Sequence, residues 1–137
     1  MTNYTEQERE VSILIVEDNL EHAILAREAL GNHDDWKIDV TASLSEALAA
    51  ISRKNFDIIL LDYLLPDGPG FDLLDWLKWN SAVVMMTSQG SEQVAVQSFR
   101  AGAVNYVVKD CLFSYNLRNA VEEVVNNMEL AESRHRN

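Results

Sequence analysis

The 137-residue sequence predicts a doubly wound α/β domain, a parallel sheet with helices on both faces. Three observations carry this. Short apolar runs rich in β-branched residues alternate with helix-period segments, five times over. The runs are apolar almost throughout, as strands buried on both faces are. The connections are short, which implies right-handed crossovers between parallel strands.

Val11-Ser12-Ile13-Leu14-Ile15-Val16 is the first strand. Asn19 to Gly31 follows as a helix with Leu20, Ala23, Ile24 and Leu30 on one face. Arg27 interrupts that stripe, and Gly31 ends the helix. Trp36 to Val40 alternates as a second strand. Ser43 or Ser45 caps the next helix, which carries Leu44, Ala47, Leu48 and Ile51 on one face. Phe56 to Leu61 is the third strand, and Pro66-Asp67-Gly68-Pro69-Gly70 is a loop because its prolines and glycines break regular structure. Phe71 to Trp79 reads as a short helix, Ala82 to Met86 as the fourth strand, and Ser91 to Ala101 as a helix ended by Gly102. Val104 to Val108 is the fifth strand. The last helix runs from about Ser114 past Met128, with Leu117, Ala120, Val121, Val124, Val125 and Met128 on one stripe. There is no internal repeat, low-complexity tract or sign of a second domain.

Composition narrows the function. A chain 47% hydrophobic and 24% charged is globular. Its 11 basic against 22 acidic residues give a formal charge of -11, which repels nucleic acid and anionic membrane, so neither is expected as a direct partner. The lone cysteine, Cys111, excludes an internal disulfide and fits a reducing, cytoplasmic setting. Met1 to Glu10 is too polar for a signal peptide and reads as a flexible lead. No apolar stretch is long enough to span a bilayer.

The chemistry lies where the apolar runs end. Glu17 and Asp18 follow the first strand, Asp62 the third, Thr87 the fourth and Lys109 the fifth. Open α/β sheets bind ligands outside the carboxyl ends of their strands, so these side chains converge on one rim. Adjacent carboxylates repel one another unless a cation lies between them, and a few carboxylates with water and phosphate oxygens suit Mg²⁺. Taken singly, each residue has a plainer role: Asp18 or Asn19 as a helix cap, Asp62 and Thr87 as loop-bonding groups, Lys109 as a surface lysine. Together they fit in-line phosphoryl transfer, which needs positioning and charge neutralisation. Asp62 would attack phosphorus, the three acids would hold a cation against one phosphoryl oxygen, and Lys109 and Thr87 would hold the others.

The segments Ile13–Asn19, Ile59–Gly68, Met86-Thr87-Ser88 and Ala101–Lys109, in this order and spacing, resemble the receiver domain of the two-component response-regulator family from roughly Val11 to Met128. The resemblance implies a flavodoxin-like five-stranded sheet in the order 2-1-3-4-5, with five helices. It implies Asp62 as phosphoacceptor and Glu17, Asp18, Asp62 and the Leu64 carbonyl as Mg²⁺ ligands. It makes Thr87 and Tyr106 a switch pair, in which the hydroxyl moves inward and the ring follows, changing the surface around the fourth and fifth helices. Tyr106 is equally a half-buried strand aromatic. Leu64 and Gln89 flank the expected path of the water that removes the phosphoryl group. Residues 1–10 would be a lead, 11–128 the receiver and 129–137 a helical extension or the start of a linker. A histidine kinase or phosphotransfer protein would supply the phosphoryl group. The signal would pass to a downstream protein or fused output module, with phosphorylation-dependent dimerisation a further expectation. Such a domain catalyses its own phosphorylation and dephosphorylation without being a turnover enzyme.

Two departures from the family pattern stand out. Glu17 replaces the commoner Asp. Asp110 replaces the usual proline after the lysine; a non-proline cis bond costs about 2.5–4 kcal/mol, so a trans bond and an altered path into the last helix are expected. Trp76 and Trp79 point away from the face that carries Leu73, Leu74 and Leu77, as a docking patch or as rings lying on neighbouring atoms. Other classes fit less well. A phosphate-independent interaction module would have lost the acids, acceptor or lysine. An aspartyl-phosphate hydrolase would need an acid where Leu64 stands, and Glu17-Asp18-Asn19 would repel a flavin phosphate.

Overall fold

A computed structural model describes residues 10–77 and 81–136, the last four as helix backbone only. The lead over residues 1–9 and Trp79 lie outside the described residues. Five parallel strands form one sheet: β1 (Val11–Val16), β2 (Trp36–Thr41), β3 (Ile58–Asp62), β4 (Ala82–Thr87) and β5 (Asn105–Val108). Their spatial order is β2-β1-β3-β4-β5, the 2-1-3-4-5 arrangement. The helices are α1 (Leu20–Leu30), α2 (Leu44–Arg53), α3 (Phe71–Leu74), α4 (Glu92–Arg100) and α5 (Phe113–Arg136). No helix among the described residues is both long and apolar enough to cross a membrane.

The unbroken apolar runs are explained by two cores. Ile13, Ile15, Ile58, Leu60, Val84 and Met86 bury one way, against α1 and α5. Leu14, Val16, Ile59, Leu61, Val83 and Met85 bury the other, against α2 and α3. Successive strand residues point to opposite faces, so a central strand covered on both sides must be apolar at every position.

The α1 stripe differs from the sequence expectation. Leu20 and Ile24 are 73% and 47% exposed, while Ala23, Ala26, Ala29 and Leu30 are buried. The helix presents alanines to the core beside α5, where small side chains allow close approach, and Arg118 of α5 donates to the Ala29 carbonyl. Ser43, not Ser45, caps α2 by accepting from the Glu46 amide at 3.1 Å.

The segment after β3 also departs from expectation. Leu64–Leu65 pairs antiparallel with Gly68–Pro69, so the proline-glycine cluster is part of a small hairpin rather than an irregular loop. Asp67 at its tip accepts from the Leu44 and Ser45 amides at 2.8 and 3.0 Å, and these bonds hold its carboxyl below the usual range. The hairpin is thereby fastened to the N-terminus of α2. Helix α3 is a single turn, and the chain beyond it tightens into i+3 bonds, from Trp76 to Leu73 and from Leu77 to Leu74. Trp76, expected to face outward, is 66% exposed, although it lies in the turn beyond α3 rather than on the helix.

Gly70 sits where the hairpin returns to β3. Its amide donates to the Tyr63 carbonyl at 2.8 Å, and a Cβ at this position would overlap the Asp62 carbonyl oxygen. Gly70→Ala is expected to lower stability by about 1–3 kcal/mol through the enforced backbone shift. The check is a reduced urea midpoint at unchanged slope; an unchanged midpoint would show that the hairpin yields freely.

Candidate functional site

Register brings the polar strand ends together. Val16 lies beside Leu61, Asp62 beside Met86, and Thr87 beside Val108. Glu17, Asp62, Thr87 and Lys109 therefore stand within two residues of one another along the carboxyl rim. A cavity of about 210 Å³ opens there, lined among others by Asp18, His22, Leu64 and Gln89.

Alternation divides these residues between the two faces. Asp62 continues the row of Ile58 and Leu60, towards α1 and α5. Thr87 continues the row of Val83 and Met85, and Tyr106 packs against that same cluster.

The acids surround one ammonium. Lys109 Nζ forms an ion pair with Glu17 Oε1 and another with Asp62 Oδ1 at 3.1 Å, with its side chain only 5% exposed. Glu17 Oε2 accepts from the Asn19 amide at 3.1 Å. Asn19 caps α1 by accepting from the His22 amide, so Asp18 is not needed as a cap and remains exposed at the mouth. Asp62 is pushed up to about 6, first by burial and then by the neighbouring Glu17 charge, with Lys109 opposing both.

Oxygens of Glu17, Asp18 and Asp62 lie within 4.8 Å of one another. This donor set fits a hard divalent cation, which takes carboxylate oxygens and keeps several waters. Buried Glu17 Oε1, although paired with Lys109, receives no hydrogen bond of good geometry. Leu64 is exposed beside these acids in the hairpin.

Thr87 is buried, and its hydroxyl is engaged by its own loop: it donates to the Gln89 carbonyl at 3.2 Å and accepts from the Gln89 amide at 3.0 Å. Tyr106 is half-buried and meets Phe99 edge-on, with ring centroids 6.3 Å apart.

No cis peptide occurs among the described residues, so the Lys109–Asp110 bond is trans as expected. Asp110 shapes the path into α5: its carboxylate accepts from the Leu112 amide and its carbonyl from the Phe113 amide. Lys109 reaches the acids without the proline.

His22 was not singled out from sequence. Its ring stands 3.5 Å from Lys109 Nζ. The available signal was its spacing, one helical turn beyond Asp18 on a helix that starts at the rim.

Sheet order and rim together define a flavodoxin-like domain with an acidic, lysine-pinned pocket at its carboxyl edge. The chain belongs to the response regulator receiver domain family, which it matches over residues 13–122. It is 35% identical over 121 residues to the methanogenesis regulatory protein FilR1 of Methanothrix harundinacea, covering 82% of this chain and 27% of that protein. It is 33% identical over 106 residues to the transcriptional regulatory protein ResD of Bacillus subtilis, covering 76% and 44% respectively. The chain thus spans less than half the length of these relatives. Among solved structures, the signal receiver domain of a putative LuxO repressor protein from Vibrio parahaemolyticus superposes with a TM-score of 0.80 at 28% identity, covering 90% of this chain and 95% of that one. Receiver domains are signalling switches of two-component systems rather than turnover enzymes, and they bind Mg²⁺ at an acidic pocket.

The Asp62 environment gives a prediction about stability. Its folded pKa lies above the ordinary value of 3.8, so the ionised carboxylate costs stability that is absent at low pH and fully present above about 6. In metal-free buffer, Asp62→Asn is expected to stabilise the protein at pH 8 by on the order of 2–3 kcal/mol. The gain should fade as pH falls from about 6 to about 4 and be absent below that. Paired thermal melts check this; a variant less stable than wild type at pH 8 would show that the Lys109 attraction outweighs burial.

Proposed function

We propose that the chain is a phosphorylation-controlled switch that accepts a phosphoryl group on Asp62. The observation that carries this reading is the buried Asp62 carboxylate, paired with Lys109 and lying within 4.8 Å of two further acids. An Asp62 oxygen attacks phosphorus in line, forming an O–P bond as the donor's P–N or P–O bond breaks. The leaving imidazole or carboxylate departs with that bond's electron pair. Lys109 holds one phosphoryl oxygen and Thr87 another. Glu17, Asp18, Asp62 and the Leu64 carbonyl would hold Mg²⁺, which when bound neutralises phosphoryl charge. Leu64 and Gln89, both lining the cavity, flank the route of the water that later hydrolyses the acyl phosphate.

Thr87 turns from Gln89 towards the phosphoryl group, and Tyr106 moves into the space released. The surface of α4, β5 and α5 then differs between the two states. The donor is a histidine kinase or phosphotransfer protein. The reader is a downstream protein or a fused output module, and dimerisation through α4 and α5 accompanies phosphorylation. Residues 11–128 form the switch, with 129–137 a helical extension or the start of a linker, in a cytoplasmic protein.

Incubation with acetyl phosphate and Mg²⁺ is expected to add one phosphoryl group by intact mass, with none added in EDTA or in Asp62→Asn. No addition to the wild-type protein at high donor would favour a phosphate-independent interaction module.

A further inference from the structure

We propose that His22 is a positioning residue for Lys109, a role that builds on Asp62 as phosphoacceptor. His22 Nδ1 lies 3.5 Å from Lys109 Nζ and 3.9 Å from Glu17 Oε1. An ammonium only donates, so Nδ1 accepts and the proton of the neutral ring sits on Nε2. Lys109 then has three partners, Glu17 and Asp62 as ion pairs and His22 as a hydrogen-bond acceptor. Each comes from a different element: the end of β1, the end of β3 and the first turn of α1.

Local sequence sets this placement. Asn19 caps α1 through the His22 amide at 3.0 Å, so the helix begins at the rim and its first turn carries the ring over the cavity. The His22 side chain is 35% exposed against 5% for Lys109, so the contact joins a buried ammonium to a ring that still reaches solvent. When an Asp62 oxygen becomes bonded to phosphorus, the carboxylate loses its charge and Lys109 exchanges part of that pairing for a phosphoryl oxygen. Glu17 and His22 hold the ammonium at the rim during the exchange. His22 acts through Lys109 and does not touch phosphorus.

The test compares wild type, His22→Leu and His22→Asn in phosphorylation by acetyl phosphate at saturating Mg²⁺. Asn keeps an acceptor near the place of Nδ1; Leu does not. His22→Leu is expected to lower the limiting rate about five-fold, the worth of one modest hydrogen bond, with half-saturating donor and Mg²⁺ concentrations unchanged. His22→Asn should restore most of that rate. A wild-type rate in the Leu variant, or equal losses in both, overturns the proposal.

A second readout needs no phosphorylation. In ¹⁵N spectra of the wild-type protein, His22 is expected to be unprotonated at Nδ1, with a slowly exchanging Lys109 ammonium that persists in the Asn variant and is lost in the Leu variant. A proton on Nδ1 overturns the role of His22 even if Asp62 accepts phosphate. Intact spectra without phosphoryl addition would count against the phosphoacceptor reading alone.

Discussion

One buried ammonium sets the terms for this rim. Lys109 stands at the end of β5, yet its partners follow β1 and end β3, on the far side of β4. Neighbouring strands are about 4.8 Å apart, so spanning that gap takes the longest flexible cationic stem available. It also takes parallel strands whose carboxyl ends finish level. Buried charges are costly unless paired, and removing one partner leaves the other stranded. The raised proton affinity of Asp62 is the residue of that conflict, with two carboxylates sharing one cation where water is scarce. A rim with one carboxylate too many for its own lysine is suited to a second cation.

The same alternation that builds two cores sorts the polar groups. Asp62 belongs to the α1 and α5 side, while Thr87 and Tyr106 belong to the other. Only at the rim, past the last pairs of the ladder, can groups from the two sides meet around a single ligand. Thr87 begins with its hydroxyl satisfied by Gln89, so turning towards a phosphoryl group exchanges hydrogen bonds rather than creating them.

Much of this was legible in the sequence because it depends on chain-local pattern. Continuous apolar runs such as Ile58–Leu61 announce strands covered on both faces, and the polar residue that ends each run falls on the rim by topology alone. What escaped depends on neighbours. Leu20 and Ile24 outweigh alanine in any hydrophobic stripe, but only the proximity of α5 makes the alanine face the buried one. Asp67 caps a helix that began 23 residues earlier, a relation invisible before the chain is folded. Helix α3 had an acceptable pattern, yet the chain tightens after one turn. His22 looked like any polar residue of a first turn until Lys109 was placed beside it.

The fastening of the hairpin to α2 bears on how the start of that helix is held. Asp67, at the tip of a hairpin that follows β3, satisfies the Leu44 and Ser45 amides across 23 and 22 residues of chain. The first turn of α2 is therefore completed by a segment further along the chain, and these bonds depend on how that hairpin is held against the helix. Amide exchange at these two positions would follow the closing of the acceptor segment rather than the fraying of the helix to which they belong.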